Sequence, residues 1–200
     1  MELNGKKIIL GSNSPRRREL LGGLDIPFTV DTGNTFEESI DPGIAPAMVP
    51  ELMSEGKSQG FHRPLEKDEI LITADTVVII NGKVIGKPHS RQEAEDMLDS
   101  LSGHTHEVIT AVTVRDCEHE ETVMDSTLVT FRELTVQERD YYLDKYRPYD
   151  KAGAYGVQEW IGYVAISSIQ GSFYNVMGFP VHKVYAEIIK FASYGVEQDI

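Results

Sequence analysis

An apolar run, Ile8-Ile9-Leu10, stops at Gly11-Ser12-Asn13-Ser14-Pro15 and is followed at once by Arg16-Arg17-Arg18-Glu19-Leu20-Leu21. This stretch restricts the fold more than any other. Consecutive β-branched and aliphatic residues bounded by small polar ones read as a buried strand. Ser14 then reads as a helix N-cap, Pro15 as the first helical residue, and Leu20 and Leu21 as the helix's buried side. A strand that turns directly into a helix is the opening of an α/β fold. It is also a ready anion site, because the N–H groups of a first helical turn are unpaired and the helix dipole favours negative charge. Three arginines in that turn oppose the dipole. Helix stability gives no reason for them, whereas a bound polyphosphate does.

The chain as a whole is acidic, with a formal net charge of −13 over 200 residues. Nucleic-acid and membrane-surface binders need a broad basic face, so neither is expected as a partner. The arginine cluster is a local basic spot and points to a small anionic ligand. Length and a hydrophobic content of 40% fit a single domain over residues 1–200, with one lobe or two. The one cysteine, Cys117, rules out an internal disulfide and fits a reducing cytosol. Its setting, Arg115-Asp116-Cys117-Glu118-His119-Glu120, reads as a charged turn whose acidic residues make it a poor nucleophile. Met1 to Lys7 has no signal-peptide pattern and no apolar run approaches a membrane span, which predicts a cytoplasmic protein.

Strand and helix signals alternate. Lys7–Leu10 and Pro27–Asp31 flank the first helix. Residues 32–46, with Gly33, Pro42, Gly43 and Pro46, read as a polar loop. Residues 47–60 read as a helix with Met48, Val49, Leu52 and Met53 on one side. Ile70–Ile80 is the most apolar run and reads as a central strand. Asn81-Gly82 is a two-residue hairpin turn into Val84-Ile85. Ser90 with Glu93 starts a helix ending at Leu101, and Thr135 with Glu138 starts another ending at Tyr146, both in the capping-box pattern. His106–Arg115 and Glu121–Phe131 read as paired strands and Val164–Ile169 as a further strand. Val181–Ala192 closes the chain as a helix with Val181, Val184, Tyr185, Ile188 and Ile189 inward. Hairpins mixed with crossover helices predict a mixed α/β sheet.

Several residues stand out chemically. Asp75 interrupts the most apolar strand, where a charge needs a partner or a metal. It reads as a structural strand aspartate or, favoured here, as a general base or metal carboxylate. Lys87 in Gly86-Lys87-Pro88 follows the hairpin, which folds it back toward Asp75, where it reads as a phosphate ligand. Asp150-Lys151-Ala152-Gly153-Ala154-Tyr155-Gly156-Val157-Gln158 is dense in small residues. Its glycines allow close approach of a ligand, Lys151 suits phosphate, and Gln158 has the paired donor and acceptor to read a base edge. Glu37 and Glu38, in the polar loop, either neutralise the arginines or help hold a divalent cation on a triphosphate. His104 and His106, two apart at a strand start, read as structural or solvent-facing, not as a zinc pair.

In order along the chain, Ser12-Asn13-Ser14-Pro15-Arg16-Arg17, Ala74-Asp75-Thr76, Gly86-Lys87-Pro88, Leu101-Ser102-Gly103 and Asp150 to Gln158 resemble the Maf family of nucleoside triphosphate pyrophosphatases. The resemblance implies an elongated mixed β-sheet flanked by helices, related to inosine triphosphate pyrophosphatases, with two lobes around a cleft. It implies a cytoplasmic enzyme, often a homodimer, that cleaves a nucleoside triphosphate to monophosphate and pyrophosphate with a divalent cation, Mg²⁺ or Mn²⁺. By position, Asp75 falls on the proton acceptor. Ser12, Arg17, Lys57 and Lys87 fall on phosphate-binding positions, and Arg16, Thr76 and Gln158 on those that separate substrate branches. Glu38, with Asp75, falls on the metal carboxylates. Thr76 and Gln158 resemble the dTTP/UTP branch. The alternatives are a 7-methyl-GTP pyrophosphatase and a nucleotide-binding division regulator with little turnover. Gly56, just before Lys57, departs from the family pattern and weakens a helix there. Arg18 reads as an exposed helix residue.

Overall fold

The computed structural model describes residues 3–194 apart from Ile40 and Pro42. Met1 and Pro42, which entered the reading of the N-terminus and the polar loop, lie outside the described residues. Seven strands, β1 (Lys7–Leu10), β2 (Phe28–Val30), β3 (Glu69–Ile80), β4 (Lys83–Ile85), β5 (Thr105–Arg115), β6 (Glu120–Phe131) and β7 (Ile166–Gln170), form one open sheet in the order β2-β1-β3-β5-β6-β7, with β4 also on β3. β2, β1 and β3 run parallel and the remaining pairs antiparallel, so the sheet is mixed as expected. The helices are α1 (Pro15–Gly22), α2 (Val49–Gln59), α3 (Arg91–Leu101), α4 (Val136–Tyr146), α5 (Trp160–Ala165), α6 (Phe173–Val176) and α7 (Val181–Ser193).

β3 explains its own apolar run. Alternate residues of a strand face opposite sides of the sheet. Ile70, Ile72, Ala74, Val78 and Ile80 belong to the main core with Leu20 and Leu21 of α1, Leu98 and Leu101 of α3, Tyr142 and Leu143 of α4, and Val184, Ile188 and Phe191 of α7. Val77 and Ile79 face the other way, onto Val49 and Met53 of α2. Both faces are covered, so both parities are apolar. The Asn81-Gly82 turn has positive φ at both residues and joins Ile80 to Lys83 in register, the mirror-image turn that this dipeptide favours.

Several local expectations change. Of the four apolar residues assigned to one side of α2, Val49 and Met53 are buried while Met48 and Leu52 are exposed. Met48 belongs to a preceding 3₁₀ turn, which rotates it off the helix face. The strand expected at Val164–Ile169 begins at Ile166, because Trp160–Ala165 is helical. Tyr185 of α7 points outward, and Phe191 takes an inward place. The Thr135–Glu138 capping box is complete, whereas at Ser90 the Glu93 carboxylate accepts from His89 N instead. His104 precedes β5 and is exposed, so it shares no face with His106, which is buried. Cys117 is exposed in the turn between β5 and β6.

Gly56 does not interrupt α2. A Cβ there would lie 2.3 Å from the Phe36 ring, so the missing side chain is the seat on which that ring rests. A Cβ on Gly60, one turn later, would lie 2.8 Å from the Phe36 backbone nitrogen. Gly56→Ala removes an intrinsic helix penalty of about 1 kcal/mol, but it overfills a packed contact, which costs about 1–3 kcal/mol. The expected outcome is a lower melting temperature despite the better helix former, read by thermal denaturation. A higher one would mean that Phe36 leaves its seat freely.

One edge of β3 is broken. β5 runs along its other edge from Leu71 to Ile79. On this edge β1 pairs only as far as Ile72, and β4 pairs only from Val78. The residues between, Thr73 to Val77, face a window in the sheet with Asp75 at its centre.

Candidate active site

The window opens into a cavity of about 510 Å³. All nine site residues expected from the sequence line it: Ser12, Arg16, Arg17, Glu38, Lys57, Asp75, Thr76, Lys87 and Gln158. Five cationic and three anionic side chains face it, on a chain of net charge −13. The local positive spot is therefore real. Arg18 is exposed and Glu37, also exposed, stays out of the lining.

α1 enters as expected. Ser14 accepts from Arg17 N, Ser12 Oγ accepts from Ser14 N, and no acidic residue occupies the first turn. The adjacent arginines divide sharply. Arg17 turns inward and spends most of its donors on the protein. It donates to Ala74 O at 2.9 Å, Thr76 Oγ1 at 3.1 Å, Gly178 O at 3.0 Å and Ser12 Oγ at 3.4 Å. Ala74 O is a carbonyl that the broken edge of β3 leaves without a strand partner. Burial pulls the guanidinium below its ordinary pKa, against the attraction of Asp75. Arg16 instead donates to Asp150 at 2.8 Å at the mouth of the cavity.

Asp75 and Thr76 leave opposite faces of β3, yet both reach the cavity because it wraps around the open edge. On the α2 face, Lys57 Nζ sits 2.7 Å from Asp75 Oδ1 and 2.9 Å from Glu38 Oε1. On the other face, Thr76 meets Arg17 and the Thr110 hydroxyl, 3.0 Å away. Glu38 reaches Lys57 because Phe36, two residues before it, rests on Gly56. The Lys57 hydrogen bond holds the Glu38 carboxyl below its ordinary pKa, and burial opposes this. Lys87 returns to the cavity after the hairpin. The peptide before it is fixed by Gly153 N donating to Gly86 O at 3.0 Å.

The small-residue segment departs from its sequence reading. A Cβ on Gly153 would meet Val78, and one on Gly156 would lie 2.9 Å from the Glu159 carboxyl carbon. These glycines make room for protein side chains, and of the two only Gly156 also lines the cavity. Lys151 is buried and held by Asp150 at 2.8 Å and Glu159 at 3.0 Å, so it is no free phosphate ligand. Burial alone would raise the pKa of Asp150, but Lys151 and Arg16 outweigh it and hold the carboxyl at about 2. The amide oxygen of Gln158 is buried without a hydrogen-bond partner. Asp150 and Glu159 are ligands of the site's cations that residue type gave no reason to single out.

An open mixed sheet with a cationic cleft at a broken strand edge, built from these segments in this order, has a counterpart among known proteins. Residues 7–191 match the family described as Maf-like protein, and the chain belongs to that family. Its relatives include proteins named dTTP/UTP pyrophosphatase. One from Porphyromonas gingivalis is 49% identical over 94% of this chain and 95% of its own length. One from Bacteroides thetaiotaomicron is 47% identical over 94% of this chain and 97% of its own. One from Christiangramia forsetii is 41% identical over 92% and 93%.

Proposed function

We propose that this chain hydrolyses dTTP and UTP to the monophosphate and pyrophosphate, clearing these nucleotides from the cytoplasmic pool. The convergence of nine residues from six separate segments on one cationic cavity carries this reading, and the relatives' names support it. Residues 1–200 are read as one two-lobed domain acting as a homodimer.

The donor set fits a divalent cation. Glu38 and Asp75 both lie within hydrogen-bond distance of Lys57 Nζ, so two carboxylates converge where positive charge is favoured. Among the described residues no group of three or more His, Cys, Asp or Glu gathers, here or elsewhere, so these two carboxylates are what the protein offers a cation. Mg²⁺ or Mn²⁺ commonly takes one or two carboxylates and completes its shell with phosphate oxygens and water. Bound there, the cation supplies charge neutralisation and a more acidic water.

The chain's own residues do the rest. Arg16, Lys57 and Lys87 are placed to draw a triphosphate into the cavity and to offset charge that builds on the departing pyrophosphate. Asp75, at the centre of the window, accepts the proton of the water that attacks the α-phosphorus. Arg17 holds the strand edge on which Asp75 and Thr76 sit. The unpaired oxygen of Gln158 suits the N3–H of uracil or thymine, and its amide N–H₂ suits a ring carbonyl.

A steady-state panel of dTTP, UTP, CTP, GTP and 7-methyl-GTP, with Mg²⁺ and with EDTA, tests the proposal. Pyrophosphate release is expected from dTTP and UTP first, and none with EDTA. A clear preference for 7-methyl-GTP would overturn the substrate, and nucleotide-dependent stabilisation without turnover would overturn the enzyme.

A further inference from the structure

Gln158 sits inside a bracket. The residue two before it, Gly156, donates its N–H to the Tyr142 hydroxyl at 3.0 Å. The residue after it, Glu159, accepts from the same hydroxyl through Oε2. The bracket is closed by Glu159 N donating to Gly156 O at 3.0 Å. Tyr142 comes from α4, is fully buried and points its hydroxyl into this turn. The other oxygen of Glu159 accepts from Lys151, which passes to Asp150, which passes to Arg16. Both oxygens of each carboxylate are thus used. Charges alternate along the row, so the buried Lys151 has a carboxylate on either side. Gly156 is required by the same construction, since any Cβ would push on the Glu159 carboxylate and on the Lys151 stem.

We propose that Tyr142 and Glu159 are specificity-determining positioning residues, which pin the backbone on both sides of Gln158, set where its amide meets the base, and tie that segment to Arg16. The proposal rests on Gln158 as the reader of the base. An amide on a free loop presents its donor and acceptor in either order and accepts uracil and cytosine edges alike. The pinned backbone fixes where the amide sits, and its oxygen is the buried end, so discrimination against a base of inverted pattern follows from the unpaired polar groups that the wrong base leaves. Tyr142 contacts neither Asp75 nor the cations placed for the phosphates, so removing its hydroxyl leaves the chemical step alone, whereas Glu159 also backs Arg16 through Lys151 and Asp150.

The test is a double-mutant cycle of Tyr142→Phe and Gln158→Ala, read as kcat and KM for UTP and CTP. Tyr142→Phe keeps the buried ring and removes only the hydroxyl. The expected loss is about tenfold in the UTP-to-CTP ratio of kcat/KM, the scale of one hydrogen bond to a charged group. It should fall on KM, with kcat for UTP within about twofold of wild type. In the Gln158→Ala background the same change should do almost nothing to the ratio, because its target is gone. Multiplicative effects, or equal losses on both nucleotides, would overturn the proposal. Glu159→Gln runs through the same cycle should Tyr142→Phe fail to fold. If neither variant folds, the two residues are core supports and the assignment fails. A wild-type enzyme without preference for UTP over CTP would refute the base-reading role of Gln158 itself, a result distinct from these.

Discussion

Asp75→Asn is expected to lower kcat on dTTP by about 10²–10⁴, the range lost with a general base, while KM changes little. The asparagine is isosteric and its amide oxygen can still accept from Lys57, which also keeps Glu38 at 2.9 Å. Folding is therefore preserved and the loss is chemical. A parallel Glu38→Gln variant should instead raise the Mg²⁺ concentration needed for half-maximal rate, with a much smaller effect on kcat at saturating metal. Both carboxylates face the cation, so saturating Mg²⁺ isolates proton transfer as the loss that Asp75→Asn keeps and Glu38→Gln does not. Steady-state rates across a Mg²⁺ titration decide it. If Asp75→Asn retains more than about a tenth of wild-type kcat, the strand aspartate is structural and the base lies elsewhere.

The second large effect is on stability and concerns His106. Its ring is buried between Phe131 and Tyr155, Nε2 lies 2.7 Å from the Tyr155 hydroxyl, and Nδ1 has no partner. Burial lowers its pKa from 6.5 to about 4. The sign follows from proton uptake. Below pH 6.5 the unfolded chain binds a proton that the folded chain refuses until about pH 4, so stability falls across that window and levels off beneath it. Integrated over the window this one ring accounts for roughly 3 kcal/mol. Urea denaturation of wild type and His106→Gln at pH 7 and pH 4 is expected to show the gap between them closing or inverting in acid. Carboxylates titrate in both proteins and cancel in the difference. Parallel pH profiles would show that the folded protein admits the proton freely. Tyr155 lines the cavity, so the same acidification should loosen the segment that carries Gln158.

Much of this molecule was legible along the chain because its signals are local. A strand, a cap and a proline adjoin one another at Leu10 to Pro15, and Asn81-Gly82 determines its own turn. The family resemblance brought together nine residues that all line one cavity, seven from the ordered motifs and Glu38 and Lys57 from outside them, without any knowledge of distance. What was not legible depends on partners far away in sequence. Gly56 reads as a helix breaker until Phe36 is found on it. Arg17 reads as a phosphate ligand until its acceptors are seen to include Gly178, 161 residues away. Gly153 and Gly156 read as ligand clearance until Val78 and Glu159 fill the space. α5 starts at Trp160, and its N-cap Glu159 makes no side-chain cap bond, so nothing in the sequence separates Val164 and Ala165 from the strand that follows.

The broken edge of β3 has a bearing on the chain's behaviour in a crowded cell. A run of unpaired backbone groups on a β-branched strand is a template for another strand, and proteins blunt such edges with charge or cover. Here the groups that would carry the chemistry supply both. Arg17 occupies the Ala74 carbonyl, and Asp75 with Lys57 fills the gap with an ion pair that no incoming strand can match. Variants that remove Arg17 would thus forfeit more than turnover, leaving an adhesive seam in the middle of the sheet. The candidate active-site cleft and the defence against self-association are the same opening, and selection on either one constrains the other.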